Sequence, residues 1–88
     1  MSDDKQEAPH RKRLIETFIE VFSLEPGADV AALKYRGIPA WDSIGHMQLV
    51  ASIETAFDVM LETDQVIEMS SFDKALEILS ANGVGVER

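Results

Sequence analysis

Three stretches of this chain repeat their apolar residues at helical spacing, and each is opened or closed by a helix signal. From about Arg11 to Leu24, the residues Leu14, Phe18, Val21 and Phe22 fall at i, i+4, i+7 and i+8, one stripe of a helix. Pro26-Gly27 follows as its stop. From about Ser43 to Phe57, the expected core face is Ile44, Met47, Val50, Ile53 and Phe57, with Leu49 beside it. Gln48, Ser52, Glu54 and Thr55 are expected on the opposite side. From about Ser71 to Ala81, Phe72, Ala75, Leu76, Ile78 and Leu79 supply the third stripe. Ser70-x-x-Asp73 has the form of a capping box ahead of it, and Asn82-Gly83 is a stop behind it.

Between these stretches lie two connections of different kinds. Residues 25–42, EPGADVAALKYRGIPAWD, make a first loop longer than the ~12–15 residues usual in compact domains. A short helical turn is expected near Asp29–Leu33, with Val30, Leu33, Tyr35 and Ile38 pinning the loop and Trp41 anchoring its end. The second connection, Asp58–Glu62, is expected to be extended, with Val59 and Leu61 inward. Thr63-Asp64 then caps a short helix reaching Glu68. The fold expected is all-α: a small antiparallel four-helix bundle, three longer helices plus one short, with a long first loop. An 88-residue chain is one small domain. It is expected to span residues 10–82, between flexible tails 1–9 and 83–88.

Composition removes several function classes. The net charge is −8, and the charge is unevenly placed. Lys5, Arg11, Lys12 and Arg13 are half of the 8 basic residues, and none lies between Arg36 and Lys74. That interval carries Asp42, Glu54, Asp58, Glu62, Asp64 and Glu68, the wrong sign for a nucleic-acid surface. An acidic face instead attracts basic patches on partner proteins, or serves solubility alone. No apolar run reaches 18 residues and the N-terminus lacks a secretory apolar core, so neither membrane insertion nor export is expected. Cysteine is absent, which fits a reducing cytoplasm and excludes Cys-based metal sites. No Asp-x-Asp-x-Asp-Gly calcium loop is present. No metal site and a monomeric state are expected.

The remaining chemistry concentrates at Asp42-Ser43-Ile44. Asp is a preferred N-cap, so Ser43 is the expected first residue of the second helix. Its hydroxyl is expected to point outward, over N–H groups without intrahelical partners and the positive end of the helix dipole. A phosphate is well placed there. An ordinary capped helix has the same dipeptide. No histidine stands at nucleophile-elbow spacing from Ser43, and no acid–base constellation is present, so an enzyme is not expected. His46, three residues from Ser43, is expected as a surface or partner contact, and Gly45 costs helix stability unless something must approach it closely.

The segment WDSIGHMQLVASIETAF, with the order and lengths of the flanking stretches, resembles the attachment region of the acyl and peptidyl carrier proteins, with Ile44 in place of their usual leucine. The resemblance covers about Leu14 to Leu79. It implies a discrete, non-catalytic carrier whose Ser43 is esterified with 4′-phosphopantetheine from coenzyme A by a magnesium-dependent phosphopantetheinyl transferase. The arm's thiol would hold acyl or aminoacyl groups as thioesters for fatty-acid, polyketide or aminoacyl chemistry. Asp42 would support the site as cap. Asp42, Ile44, Gln48 and Glu54 would meet partners: the transferase, a loading ligase, and acyltransferase or synthase enzymes. Met47, Val50, Ile53, Met60 and Ile67 would line an acyl pocket, opened by movement of the short helix. Gly45 and Gln48 stand where acids are common in fatty-acid carriers, which points to a dedicated pathway. The alternative expectation is an unmodified acidic helical adaptor.

Overall fold

Residues 9–84 are described by the computed structural model. Among the described residues four helices make a small bundle: α1, Pro9–Phe22; α2, Ser43–Phe57; α3, Thr63–Glu68; and α4, Phe72–Ala81. A 3-10 turn at Val30–Ala32 stands in the long loop, where the sequence suggests a helical turn. Of the expected tails, 1–9 and 83–88, residues 1–8 and 85–88 lie outside the described residues. Helical backbone already begins at Pro9, whose missing N–H costs nothing in a first turn.

The helix ends are set by local hydrogen bonding. Asp42 caps α2, its Oδ1 accepting the Gly45 N–H at 2.9 Å. Ser71, one residue beyond the expected box, caps α4, its Oγ accepting the Lys74 N–H at 3.1 Å. At α3 the cap is Glu62 rather than Thr63-Asp64, and its N–H donates to Gln65 Oε1 at 3.0 Å.

Three C-terminal ends share one closure. Leu24 N–H reaches Ile19 C=O at 2.9 Å, Val59 N–H reaches Glu54 C=O at 3.1 Å, and Val84 N–H reaches Leu79 C=O at 3.0 Å. In each, the preceding residue is left-handed: Ser23 at φ 54, Asp58 at φ 54 and Gly83 at φ 88. So α1 stops at Phe22, before Pro26-Gly27 is reached, because the left-handed Ser23 turns the Leu24 N–H back onto the Ile19 carbonyl. Val84, expected in a frayed tail, is instead half-buried against the core.

The core joins Leu14, Phe18 and Phe22 of α1 to Leu49, Val50 and Ile53 of α2 and Phe72, Ala75, Leu76, Ile78 and Leu79 of α4. Trp41 sits at its centre. It lies 5.4 Å from the Phe18 ring and 5.4 Å from the Phe22 ring, and Phe18 meets Phe72 edge-on at 5.4 Å.

The buried face of α2 differs from the expected one. Gly45, Leu49, Val50 and Ile53 face inward, whereas Ile44 and Met47 are 71% and 60% exposed. Steps of three residues from Ile44 each fall roughly 60° short of a full turn at about 100° per residue. Ile44 and Ile53 therefore end on opposite sides of the helix. The true stripe runs by fours through Gly45, Leu49 and Ile53.

The long loop is tied down along its length. Lys34 and Ser71 form an antiparallel bridge, flanked by Tyr35 N–H to Ser70 C=O at 2.8 Å and Phe72 N–H to Leu33 C=O at 3.2 Å. Arg36 N–H closes onto Trp41 C=O at 2.9 Å. Val30 and Trp41 are fully buried, so the loop enters α2 from a fixed position.

Candidate functional site around Ser43

Ser43 is the first residue of α2 and is exposed, as are Asp42 and Ile44. What lies beneath this serine is rigid. A methyl group built on Gly45 would overlap the Ala40 carbonyl oxygen and come within 3.3 Å of Phe22 Cε1. Only glycine allows the loop backbone to cross the first turn of α2 this closely.

His46 is half-buried, not a surface contact. The Trp41 indole N–H donates to His46 Nδ1 at 2.9 Å. An indole can only donate, so Nδ1 is the acceptor and the proton sits on Nε2, which donates to the Val66 carbonyl at 2.8 Å. The imidazole and indole planes are stacked at 15°. Both ring nitrogens are spent on structure, and neither is left to take a proton from Ser43. This ring joins loop, α2 and α3.

Tyr35 stands over the serine. Its hydroxyl lies 3.4 Å from Ser43 Oγ. The phenol is held below its ordinary pKa, first by the hydrogen bond with Ser43 and next by one with the Arg36 side chain, against the opposing charge of Asp42. The Arg36 guanidinium lies over the ring, 5.5 Å from its centre.

A groove of about 360 Å³ opens beside the serine, lined by Tyr35, Ser43, His46, Met47, Val66, Ile67, Met69 and Ser70. The expected acyl-pocket residues are divided by it. Met47 and Ile67 border it, Ile67 being 72% exposed. Val50 and Ile53 belong to the core instead, because they face inward on α2, and Met60 stands out in solvent at 85% exposure. Among the expected partner contacts, Asp42, Ile44 and Gln48 are exposed. Glu54 is half-buried, and its Oε2 accepts the Leu61 N–H at 2.9 Å, bracing the connection to α3.

Tyr35, Val66, Met69 and Ser70 border the groove without having been singled out as site residues. Tyr35 arrives through the loop's bridge to Ser71, a pairing that no local periodicity encodes. A second groove, of about 390 Å³ between α1 and α2, is lined by Arg13, Glu16, Thr17, Glu20, Ala51, Ser52, Thr55 and Ala56 and holds none of the expected site residues. Among the described residues no group of three His, Cys, Asp or Glu side chains is placed to hold a metal ion. No helix there is long and apolar enough to cross a membrane. Comparison with protein-family models, with curated proteins and with solved structures gives no match to this chain.

Proposed function

We propose that this chain is a discrete carrier protein and that Ser43 is the point where a phosphopantetheine arm is joined. One observation carries the reading: an exposed primary hydroxyl, on the first residue of a capped 15-residue helix, borders a groove whose far wall is a short helix. The residues present suit the group. Asp42 takes the Gly45 N–H, the Ser43 and Ile44 N–H groups at the positive end of α2 favour a phosphate, and the Met47, Val66, Ile67 and Met69 side chains offer an apolar path for the tether. The arm, when attached, supplies the thiol on which acyl or aminoacyl groups are carried.

Attachment consumes coenzyme A, and a phosphopantetheinyl transferase catalyses it. One bond forms between Ser43 Oγ and phosphorus, one P–O bond of the pyrophosphate breaks, the adenosine bisphosphate half departs, and the hydroxyl proton leaves to the transferase. The chain's own residues do no bond-making beyond supplying that hydroxyl. Asp42 holds the start of α2 through Gly45 N–H, and His46 holds α3 in place through Val66. Partners, meaning the transferase, a loading ligase and the enzymes that take the cargo, are expected to meet Asp42, Ile44 and Gln48. On the same reading the three longer helices run antiparallel and the protein works in the cytoplasm.

The exposed Ile44, Met47, Met60 and Ile67 also suit an unmodified adaptor that binds other proteins through an apolar patch. Intact mass after incubation with a broad-specificity transferase, magnesium and coenzyme A separates the two. The carrier gains the mass of one arm, and Ser43→Ala gains none. An unmodified wild-type chain, or an arm that still attaches to Ser43→Ala, removes the proposal.

A further inference from the structure

Tyr35 is more firmly placed than an exposed loop residue needs to be. Its backbone N–H is bonded to Ser70 C=O at 2.8 Å, next to the Lys34–Ser71 bridge. Its ring meets Trp41 edge-on at 6.4 Å and His46 at 5.5 Å, both parts of the rigid base under α2. Arg36 covers a face of it. These contacts fix where the hydroxyl points, which is toward Ser43 Oγ at the mouth of the groove.

The hydroxyl pair itself is loose. A good O–H···O bond is about 2.7–2.8 Å long, and this one is 3.4 Å. Either hydroxyl can be the donor across it, so the phenol O–H has only a distant, neutral acceptor there. A phosphate oxygen carried on Ser43 would be a better one, because hydrogen bonds to charged acceptors are roughly twice as strong as neutral ones. The Arg36 guanidinium beside the phenol adds attraction for the same charge.

We propose that Tyr35 is a positioning residue for the arm: it orients the Ser43 hydroxyl before transfer and donates to the phosphodiester afterwards, so that the tether leaves along the groove between α2 and α3. The inference rests on the carrier reading of Ser43 and adds a direction to it. The groups facing the phenol agree with this assignment. Arg36 is positive, Asp42 is the one acid acting on it, and His46 presents the side of a ring whose nitrogens are engaged elsewhere.

The chain contains a single tyrosine and a single tryptophan, so two optical signals are residue-specific. Tyrosinate absorbance, followed against pH in unmodified and modified protein, reads Tyr35 alone. The unmodified phenol is expected to titrate below the ordinary tyrosine value. The modified one is expected to titrate higher than the unmodified, because the neutral phenol donates to the diester while a phenolate would be repelled by it. Tyr35→Phe, checked for an unchanged fold by Trp41 emission, is expected to slow transfer about 2- to 10-fold, the worth of one ordinary hydrogen bond. It is also expected to move the phosphorus-31 resonance of the attached arm. Identical titrations before and after modification, with the same phosphorus shift in wild type and Tyr35→Phe, overturn this inference and leave the carrier reading standing. A wild-type chain that accepts no arm overturns both.

Discussion

The first two turns of α2 have two sides built to opposite rules. On the inner side the packing is tight and specific. Gly45 admits the Ala40 carbonyl, Trp41 is fully buried, and His46 spends both nitrogens on Trp41 and Val66. On the outer side Ser43 meets the Tyr35 hydroxyl at 3.4 Å, and the Ile44 and Met47 side chains lie mostly in solvent. Ile44 and Met47, three residues apart, place two large apolar groups side by side on this face. The difference teaches that the inner side fixes the position of a serine whose outer surroundings are left open to something else. Substitutions on the two sides should therefore separate stability from function.

The largest effect is expected at Trp41. Trp41→Ala removes the ring that Phe18 and Phe22 pack against and strips His46 Nδ1 of its donor. A large aromatic-to-alanine change in a core costs about 3–5 kcal/mol. In a domain of this size that approaches the whole stability. Chemical denaturation should show a chain largely unfolded without denaturant. A loss below about 1 kcal/mol would mean that the indole is not the hub of the inner side.

His46 comes next, and its effect should be regional. His46→Phe keeps a ring beside Trp41 but leaves the indole N–H and the Val66 carbonyl without partners. Each unsatisfied group costs about 1–3 kcal/mol when desolvated, less where water reaches it. Helix α3 buries no side chain fully, so it depends on ties such as this one and the Asn82–Gln65 bond at 3.3 Å. Amide hydrogen exchange should speed up within Thr63–Glu68 well before it does in α1 or α4. Uniform acceleration across all four helices would show that the ring supports the core as a whole and is not a tether for α3.

The same contrast explains what could be read from the sequence. The helices and several of their caps were legible, because spacing and capping are local: Asp42 before Ser43, and Asn82-Gly83 after Ala81. The serine was legible for the same reason. The facing of α2 was not. Ile44 and Met47 look like core residues when apolar positions are counted by threes; burial instead follows the fours through Leu49 and Ile53, with the loop crossing closely over Gly45. His46 pairs with Val66, 20 residues away, and Tyr35 reaches Ser43 through a loop bridged to Ser71. Such contacts are products of the tertiary arrangement and leave no periodic trace. Glu54 shows the limit from the other direction: an acid on a helix reads as surface, yet part of its carboxylate serves the Leu61 N–H.

The smallest effect on folding, and the sharpest test of the comparison, belongs to the outer side. Ile44→Ala and Met47→Ala remove side chains that are 71% and 60% exposed, so little packing is lost. Surface changes of this kind shift stability by about 0.5 kcal/mol or less, and in a helix alanine recovers part of even that. If the exposed pair is where a modifying or loading enzyme lands, the same substitutions should slow arm transfer by about 5-fold or more, since a central apolar contact in an interface is worth over 1 kcal/mol. The discriminating measurement is the ratio: melting unchanged while transfer slows. Equal losses in both would place Ile44 and Met47 within the fold's own packing and erase the distinction between the two sides of the helix. No loss in either would leave the open side without the use that its exposed isoleucine and methionine imply.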